Sequence, residues 1–195
     1  MKIIAIGASN NRQSINRQLA SFAAKLIPEA TVETVDIADF ELPLFSDERE
    51  GQMVQPRLAR AFFEKLGSAD GLVISFAEHN GSYTAAYKNL FDWTSRISKE
   101  VFQGKPAVFL STSPGAGGAS SVLASAVESA EFFGADLVAS VSVPSFYDNF
   151  DVEAGHITNH FLLKQLVQKM NLLRSKTISR RMLEDAVYTA GYPLR

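Results

Sequence analysis

The chain has 195 residues, enough for one well-buried domain and short for two. Apolar residues make up 46% and charged residues 21%, close to the globular average, which excludes wholesale disorder, a collagen-like chain and a coiled coil. Lys plus Arg is 19 against 21 for Asp plus Glu, so a net charge of −2 removes the footprint of a nucleic-acid binder, and the lack of Cys excludes disulfides, thiolate metal sites, Fe–S clusters and Cys nucleophiles.

The start, Met1–Gly7, carries one positive charge and an apolar run too short for a signal peptide. No stretch approaches the ~20 apolar residues needed to span a bilayer. A soluble, cytoplasmic protein with no membrane partner is expected. Lys2–Ile6 reads as a buried strand, and Ser14–Ile27 as a helix with Ile15, Leu19, Phe22 and Leu26 on one face. Thr31–Asp36 is β-branched and reads as a strand. Asp36–Gln55 reads as an irregular, acidic surface excursion with few apolar anchors. Pro56–Leu66 is helical and Gly71–Phe76 is a buried strand. Tyr83–Ile97 is helical, Pro106–Ser111 a strand, Ser120–Phe133 a helix closed by Gly134, and Leu137–Val143 a strand. His156–Leu173 reads as a long helix carrying His156 and His160 four residues apart. The basic tail, residues 174–195, reads equally as an extra helix over Ser179–Tyr188 or as a mobile end.

Apolar strands alternating with helices imply an α/β fold: one parallel sheet, doubly wound, with helices on both faces. Such sheets bind ligands outside the carboxyl ends of their strands. Three loops therefore matter: those after Ile6, Phe76 and Ser111.

The first loop, Gly7–Asn16, offers hydroxyls, amides and one guanidinium. Helix-start N–H groups, joined by Ser9, Ser14, Asn16 and Arg12, can surround a phosphate monoester. It lacks the Gly-Lys-Ser/Thr of a P-loop and the later glycines of a dinucleotide loop. The same residues serve equally as a turn and a helix cap. In the second loop, Asn80, Gly81 and Ser82 permit close backbone approach and donate hydrogen bonds of the kind a flavin edge requires. His79 fits beside such a ring or in solvent. In the third loop, Gly115, Gly117 and Gly118 exceed what a turn needs, with Ser120 or Ser121 to cap the next helix. No Gly-x-Ser-x-Gly elbow or metal-ligand cluster stands out, and no metal is expected.

Together the loops resemble the NADPH-dependent FMN reductase family of flavodoxin-like proteins, which includes azo-dye, quinone and chromate reductases. The first motif is Ala8-Ser9-Asn10-Asn11-Arg12-Gln13-Ser14-Ile15-Asn16-Arg17-Gln18-Leu19. The second is Ala77-Glu78-His79-Asn80-Gly81-Ser82 with Lys88-Asn89-Leu90-Phe91-Asp92-Trp93, and the third is Ser113-Pro114-Gly115-Ala116-Gly117-Gly118 after Lys105-Pro106. The match runs from about Met1 to about Leu173. It departs from the pattern at Ala8, Ala77 and His79, where the family has Gly, Pro and Tyr, and at Asn11, where many members have Arg.

The resemblance implies a three-layer sandwich over residues 1–173, with strand order 2-1-3-4-5. It implies bound FMN, with Ser9, Asn11, Arg12, Ser14, Ile15 and Asn16 at the phosphate. Glu78, His79, Asn80, Gly81 and Ser82 would line the ring on one side, and Ser113, Gly115, Gly117 and Gly118 on the other. It implies NADPH or NADH as hydride donor, Arg12 and Arg17 as contacts for the donor's phosphates, a small-molecule acceptor, ping-pong turnover, and a homodimer or homotetramer with Lys88–Trp93 near the interface. It names no catalytic side chain. A flavodoxin-like electron carrier and a cofactor-free interaction protein are the alternatives on the same fold.

Overall fold

Five apolar runs pair into one all-parallel sheet: β1 (Lys2–Ala8), β2 (Thr31–Asp36), β3 (Gly71–Phe76), β6 (Lys105–Thr112) and β7 (Ala135–Val143). The computed structural model describes residues 1–53 and 55–189. Strand order is β2-β1-β3-β6-β7, which in chain order of these five is the expected 2-1-3-4-5. Strand β1 runs two residues past Ile6, because Gly7 pairs with Asp36 and Ser75 and Ala8 with Phe76.

Each strand sends alternate side chains to opposite faces. Ile4, Ile6, Leu72, Ile74 and Phe109 enter one core, under α3 (Arg57–Gly67), α4 (Ala85–Ser95) and α5 (Ser120–Ser129). Ile3, Ala5, Val73, Val108 and Leu110 enter the other, under α1 (Ile15–Lys25) and α7 (His160–Thr189). These are the three expected layers. Among the described residues, no helix is long and apolar enough to cross a membrane.

Several boundaries differ from the sequence expectation, each for a physical reason. Helix α4 starts at Ala85 because Ser82–Tyr83 forms β5, which pairs with β4 (Glu78–His79) in a two-residue hairpin. Asn80 and Gly81 sit at its tip with φ of 52° and 77°, the geometry that favours an Asn-Gly turn. Helix α5 stops at Ser129, and a 3₁₀ turn over Glu131–Phe133 is closed by Gly134 at φ 74°. Residues 146–157 fold into a short helix α6 (Phe146–Asn149) and a small ladder of β8 (Phe150–Asp151) with β9 (His156–Ile157).

His156 is therefore in a strand, and α7 starts later, at His160. Asn159 caps it by accepting from the Phe161 and Leu162 N–H groups. The two histidines share no helix face. Among the described residues, no group of three or more His, Cys, Asp or Glu is placed to hold a metal ion. Helix α7 shows no break at Leu173 and continues to Thr189. Thr177 is buried, Lys176 pairs with Asp136 at 3.1 Å, and Arg180 donates to the Gly104 carbonyl. Residues 190–195 of the expected tail lie outside the described residues.

The Asp36–Gln55 segment is more ordered than its composition suggested. It holds a 3₁₀ turn at Ile37–Phe40 and helix α2 (Asp47–Met53). One anchor comes from α4. Asn89 Nδ2 donates to the Leu42 and Pro43 carbonyls, Asn89 Oδ1 accepts from the Phe45 N–H, and Trp93 Nε1 donates to Pro43 at 2.7 Å. Phe45 packs edge-on against the Trp93 ring at 5.1 Å. The segment also has apolar anchors of its own: Ile37 is buried in the core and Phe40 and Leu42 pack against it.

The sheet and α1 meet most closely at Gly7. A Cβ there would sit 2.6 Å from Arg17 Cα and 2.7 Å from Arg17 Cβ, so the strand and helix could not hold this distance. Gly7→Ala should therefore lower stability by about 1–3 kcal/mol through overpacking. Gly51→Ala, on an exposed helix with nothing near the new methyl, should leave stability unchanged or raise it slightly. Thermal unfolding of the two variants beside the parent chain measures the difference.

Candidate functional site

The loop after β1 is built largely from its own polar groups. The Ser9 N–H donates to the Gly7 carbonyl, and Ser9 Oγ accepts from the Asn11 N–H at 3.2 Å. Asn11 Oδ1 accepts from the Gln13 N–H at 2.8 Å, and the Asn11 carbonyl accepts from the Ser14 N–H. Ser14 is the N-cap of α1, and its Oγ accepts from the Arg17 N–H at 3.3 Å. Helix geometry leaves the Ile15 and Asn16 N–H groups of the first turn without intrahelical partners. Both residues line the cleft described below.

Asn16 is buried and joins two strand ends. Its Nδ2 donates to the Thr112 carbonyl at 3.0 Å. Its Oδ1 accepts from the Thr112 N–H at 3.1 Å and from Ser75 Oγ at 2.7 Å. One amide on α1 thus locks the ends of β3 and β6 to the first loop. Thr84 adds a fourth tie: it caps α4 and donates its hydroxyl to the Ala8 carbonyl at 3.0 Å.

The second loop meets the third through Glu78. Glu78 Oε2 accepts from the Val122 N–H at 2.9 Å, in the first turn of α5. The residue before that helix, Ala119, sits in the left-handed region with no side-chain cap. The cap expected from Ser120 or Ser121 is therefore supplied by a distant carboxylate, which also suits the positive end of the helix dipole. Gly118 has φ 59°, and a Cβ on it would strike Ser142 Oγ and lie 3.0 Å from Pro144 N. Its carbonyl accepts from Ser111 Oγ at 2.7 Å and Ser142 Oγ at 2.9 Å. Gly118 is required for packing, whereas a Cβ on Gly115 or Gly117 would meet open space.

These loops enclose a cleft of about 290 Å³ over the carboxyl ends of the sheet. Ser9, Asn11, Ser14, Ile15, Asn16, Glu78, His79 and Ser113 line it, as do Gln13, Ala77, Thr112 and Pro114. The remaining residues singled out in the sequence lie elsewhere. Asn80 and Gly81 form the hairpin tip and Ser82 its return strand, while Gly115, Gly117 and Gly118 continue the third loop beyond the lining.

Arg12 turns outward. It pairs with Asp39 at 2.8 Å and Asp36 at 3.1 Å, and the Asp39 hydrogen bond and charge push its pKa further up. Arg17 pairs with Asp36 and donates to the Arg12 carbonyl. Both guanidiniums thus clasp the end of β2. Arg12 also borders a second, adjacent cleft of about 510 Å³ with Phe40, Leu42 and Asn89.

Tyr147 also lines the main cleft, a residue that sequence reasoning missed. It comes from the loop after β7, which is stitched to the third loop by Ser145 N–H to the Gly115 carbonyl and Phe146 N–H to the Ser113 carbonyl. The available signal was positional: β7 also ends at the carboxyl edge of the sheet. Its loop carries none of the glycines or paired hydroxyls that marked the other three.

Residues 1–148 match the family model of NADPH-dependent FMN reductases. The chain is 39% identical over 118 residues to 2-hydroxy-1,4-benzoquinone reductase from a Burkholderia species, covering 60% of this chain and 62% of that protein. It is 32% identical over 116 residues to an NAD(P)H-dependent FMN reductase from Pseudomonas aeruginosa, covering 59% and 61%. The alignments thus span less than two thirds of these relatives. Among solved structures, the flavoenzyme NAD(P)H:(acceptor) oxidoreductase FerB from Paracoccus denitrificans superposes with a TM-score of 0.75 at 21% identity, covering 91% of this chain and 97% of that one. An azoreductase from Bacillus anthracis gives a TM-score of 0.56 at 18% identity, covering 90% and 99%. These two structures share the fold.

Removing the Asn16 amide would orphan the Ser75 hydroxyl and both backbone groups of Thr112 in a buried site. Asn16→Ala should therefore cost about 1–3 kcal/mol for each group left unpaired. The midpoint of urea unfolding should fall accordingly, with the slope of the transition unchanged.

Proposed function

The chain belongs to the NADPH-dependent FMN reductase family, and on that footing we propose that it is an FMN-dependent NAD(P)H oxidoreductase that reduces small quinone-like acceptors. The observation that supports this most is the donor set of the main cleft. Two serine hydroxyls and two free first-turn N–H groups of α1 converge at its floor, while Glu78, the one carboxylate in the lining, has an oxygen committed to α5. That chemistry fits a dianionic phosphate monoester and repels no negative charge at the helix start. The open space around Gly115 and Gly117 lets backbone approach a flat ring.

In this reading Ser9, Ser14 and the N–H groups of Ile15 and Asn16 hold the phosphate. Asn16 keeps the floor in place, since its side-chain oxygen is occupied by Ser75 and Thr112. Ala77 and His79 would lie on one side of the ring and Ser113 and Pro114 on the other, with Tyr147, which also lines the cleft, beside them. Arg12, held by Asp39, stands outside the phosphate site. FMN held by these residues would supply the hydride- and electron-transfer chemistry that the side chains themselves lack. The protein residues orient both substrates over the open side of the cleft. They need not exchange a proton, so no catalytic side chain is assigned. One open side serves donor and acceptor in turn, which is ping-pong turnover. The benzoquinone reductase likeness supports a quinone acceptor. The same reading makes the protein a cytoplasmic homodimer or homotetramer.

The purified chain loaded with FMN should show the visible bands of bound oxidised flavin. NADPH or NADH should bleach them without oxygen, and 1,4-benzoquinone should restore them. Initial rates at several quinone concentrations should give parallel double-reciprocal lines. Bleaching by dithionite but not by either nicotinamide would instead mark an electron carrier. A chain that takes up no FMN would mark an interaction protein. Ser14→Ala should weaken FMN binding about tenfold or more, the worth of one hydrogen bond to a charged group, as read by titration of flavin fluorescence.

A further inference from the structure

A separate cavity of about 130 Å³ opens between α4, α5 and the face of the sheet beneath them. None of its lining residues borders the main cleft. Its walls are aromatic: Phe76, Phe91, Phe102, Phe109 and Phe133 surround it, with Ala126 of α5 beside them. These rings meet edge to face, Phe76 with Phe109 at 5.1 Å and Phe91 with Phe133 at 4.7 Å. Interiors leave few voids larger than a water molecule, and a water here would find few of the polar partners it needs. The charges that border the space do not call for an ion, because Lys88 and Asp92 pair with each other at 2.5 Å. One polar group in the wall lacks a partner. Tyr87 is 4% exposed; its N–H donates to Thr84 Oγ1, but among the described residues its hydroxyl makes no hydrogen bond. No fully enclosed side-chain oxygen among the described residues is left unpaired, so the Tyr87 hydroxyl reaches open space, and the space that Tyr87 borders is this cavity. Burial, and after it the neighbouring Tyr83, holds the phenol well above its ordinary pKa, so it stays a protonated donor.

We propose that this cavity binds a neutral, single-ring aromatic molecule bearing one oxygen, of which phenol is the simplest. Size sets the single ring: an apolar cavity of about 150 Å³ holds one benzene, and this one is of that order. The walls set the aromatic character, because a ring placed among edge-to-face rings gains more than its buried area alone. Tyr87 sets the oxygen, which would accept the hydrogen bond that the hydroxyl otherwise leaves unmade. The apolar walls and the mutually paired charges set neutrality, since an anion would lose its hydration without gaining a counter-charge. The site does not rest on the proposed reaction. Its wall is nonetheless continuous with the main cleft: Phe76 precedes Ala77, and Tyr83 pairs with Glu78 across the hairpin.

Titration of the full chain with phenol, followed by NMR at the Ala126 methyl, tests the site. The Kd should be on the order of 1 mM or tighter, and saturating FMN should not displace the phenol. Cyclohexanol, similar in size but not aromatic, should bind several-fold more weakly. Tyr87→Phe should weaken phenol binding several-fold, up to about tenfold, and leave benzene binding as it was. The same variant should unfold at an unchanged or higher temperature, because it removes a hydroxyl that has no partner. Ala126→Leu, which fills the space, should abolish phenol binding with the far-ultraviolet circular dichroism unchanged. Four results overturn the proposal. They are no methyl shift at about 10 mM phenol, well above the expected Kd; displacement by FMN; equal phenol affinity in the parent chain and either variant; or phenol binding that disappears as the protein concentration rises, which would make a second copy of the chain the occupant.

Discussion

The site depends on one buried amide. Asn16 sits on the first turn of α1, yet its hydrogen bonds reach Ser75 at the end of β3 and Thr112 at the end of β6. Three chain segments far apart in sequence are thereby held in one geometry. A buried polar group with all its bonds made is stiff, because breaking any one leaves an expensive orphan. The first-turn N–H groups of α1 can face the cleft only while that amide keeps the helix seated. Gly7 makes the seating possible by letting the backbone of β1 approach that of α1.

The same economy recurs around the rim. Glu78 lines the cleft and also caps α5, so one carboxylate shapes the site and stabilises a helix that has no cap of its own. Thr84 caps α4 while donating to the end of β1. Gly118 is held in a conformation that a side chain would block. Residues that read as ligand contacts are therefore also the braces of the loops that carry them. The guanidiniums of Arg12 and Arg17 show the converse. They read as phosphate ligands, and in the structure Arg12 pairs with Asp36 and Asp39 and Arg17 with Asp36.

Much of the fold was legible along the chain. The strands β1, β2, β3 and β6 announce themselves as short apolar or β-branched runs, and α3 and α4 as apolar stripes at helical spacing. The errors fall where a local pattern competes with a distant partner. The 36–55 segment has no regular apolar period, so its order was not legible: Ile37, Phe40 and Leu42 reach the core, and Asn89 and Trp93, more than forty residues away, bind its backbone. Helix α7 outlives its apolar stripe at Leu173 because Lys176, Arg180 and Arg181 find partners at the starts of three strands. The His156/His160 spacing suggested one helix face, but Asn159 caps the helix between them.

What the sequence by itself determined is the layered parallel sheet and the identity of three of the loops at its carboxyl edge. Those features follow from periodicity and from turn-forming residues, which act over a few neighbours. Only the tertiary structure decided which polar side chains remain free for a ligand. It spent Glu78 and Asn16 on bracing, turned Arg12 away, and brought Tyr147 in from a loop without a local signal. Hydrogen-bond capacity is finite and is taken by whatever partner the fold brings within about 3 Å, and sequence spacing does not reveal that distance.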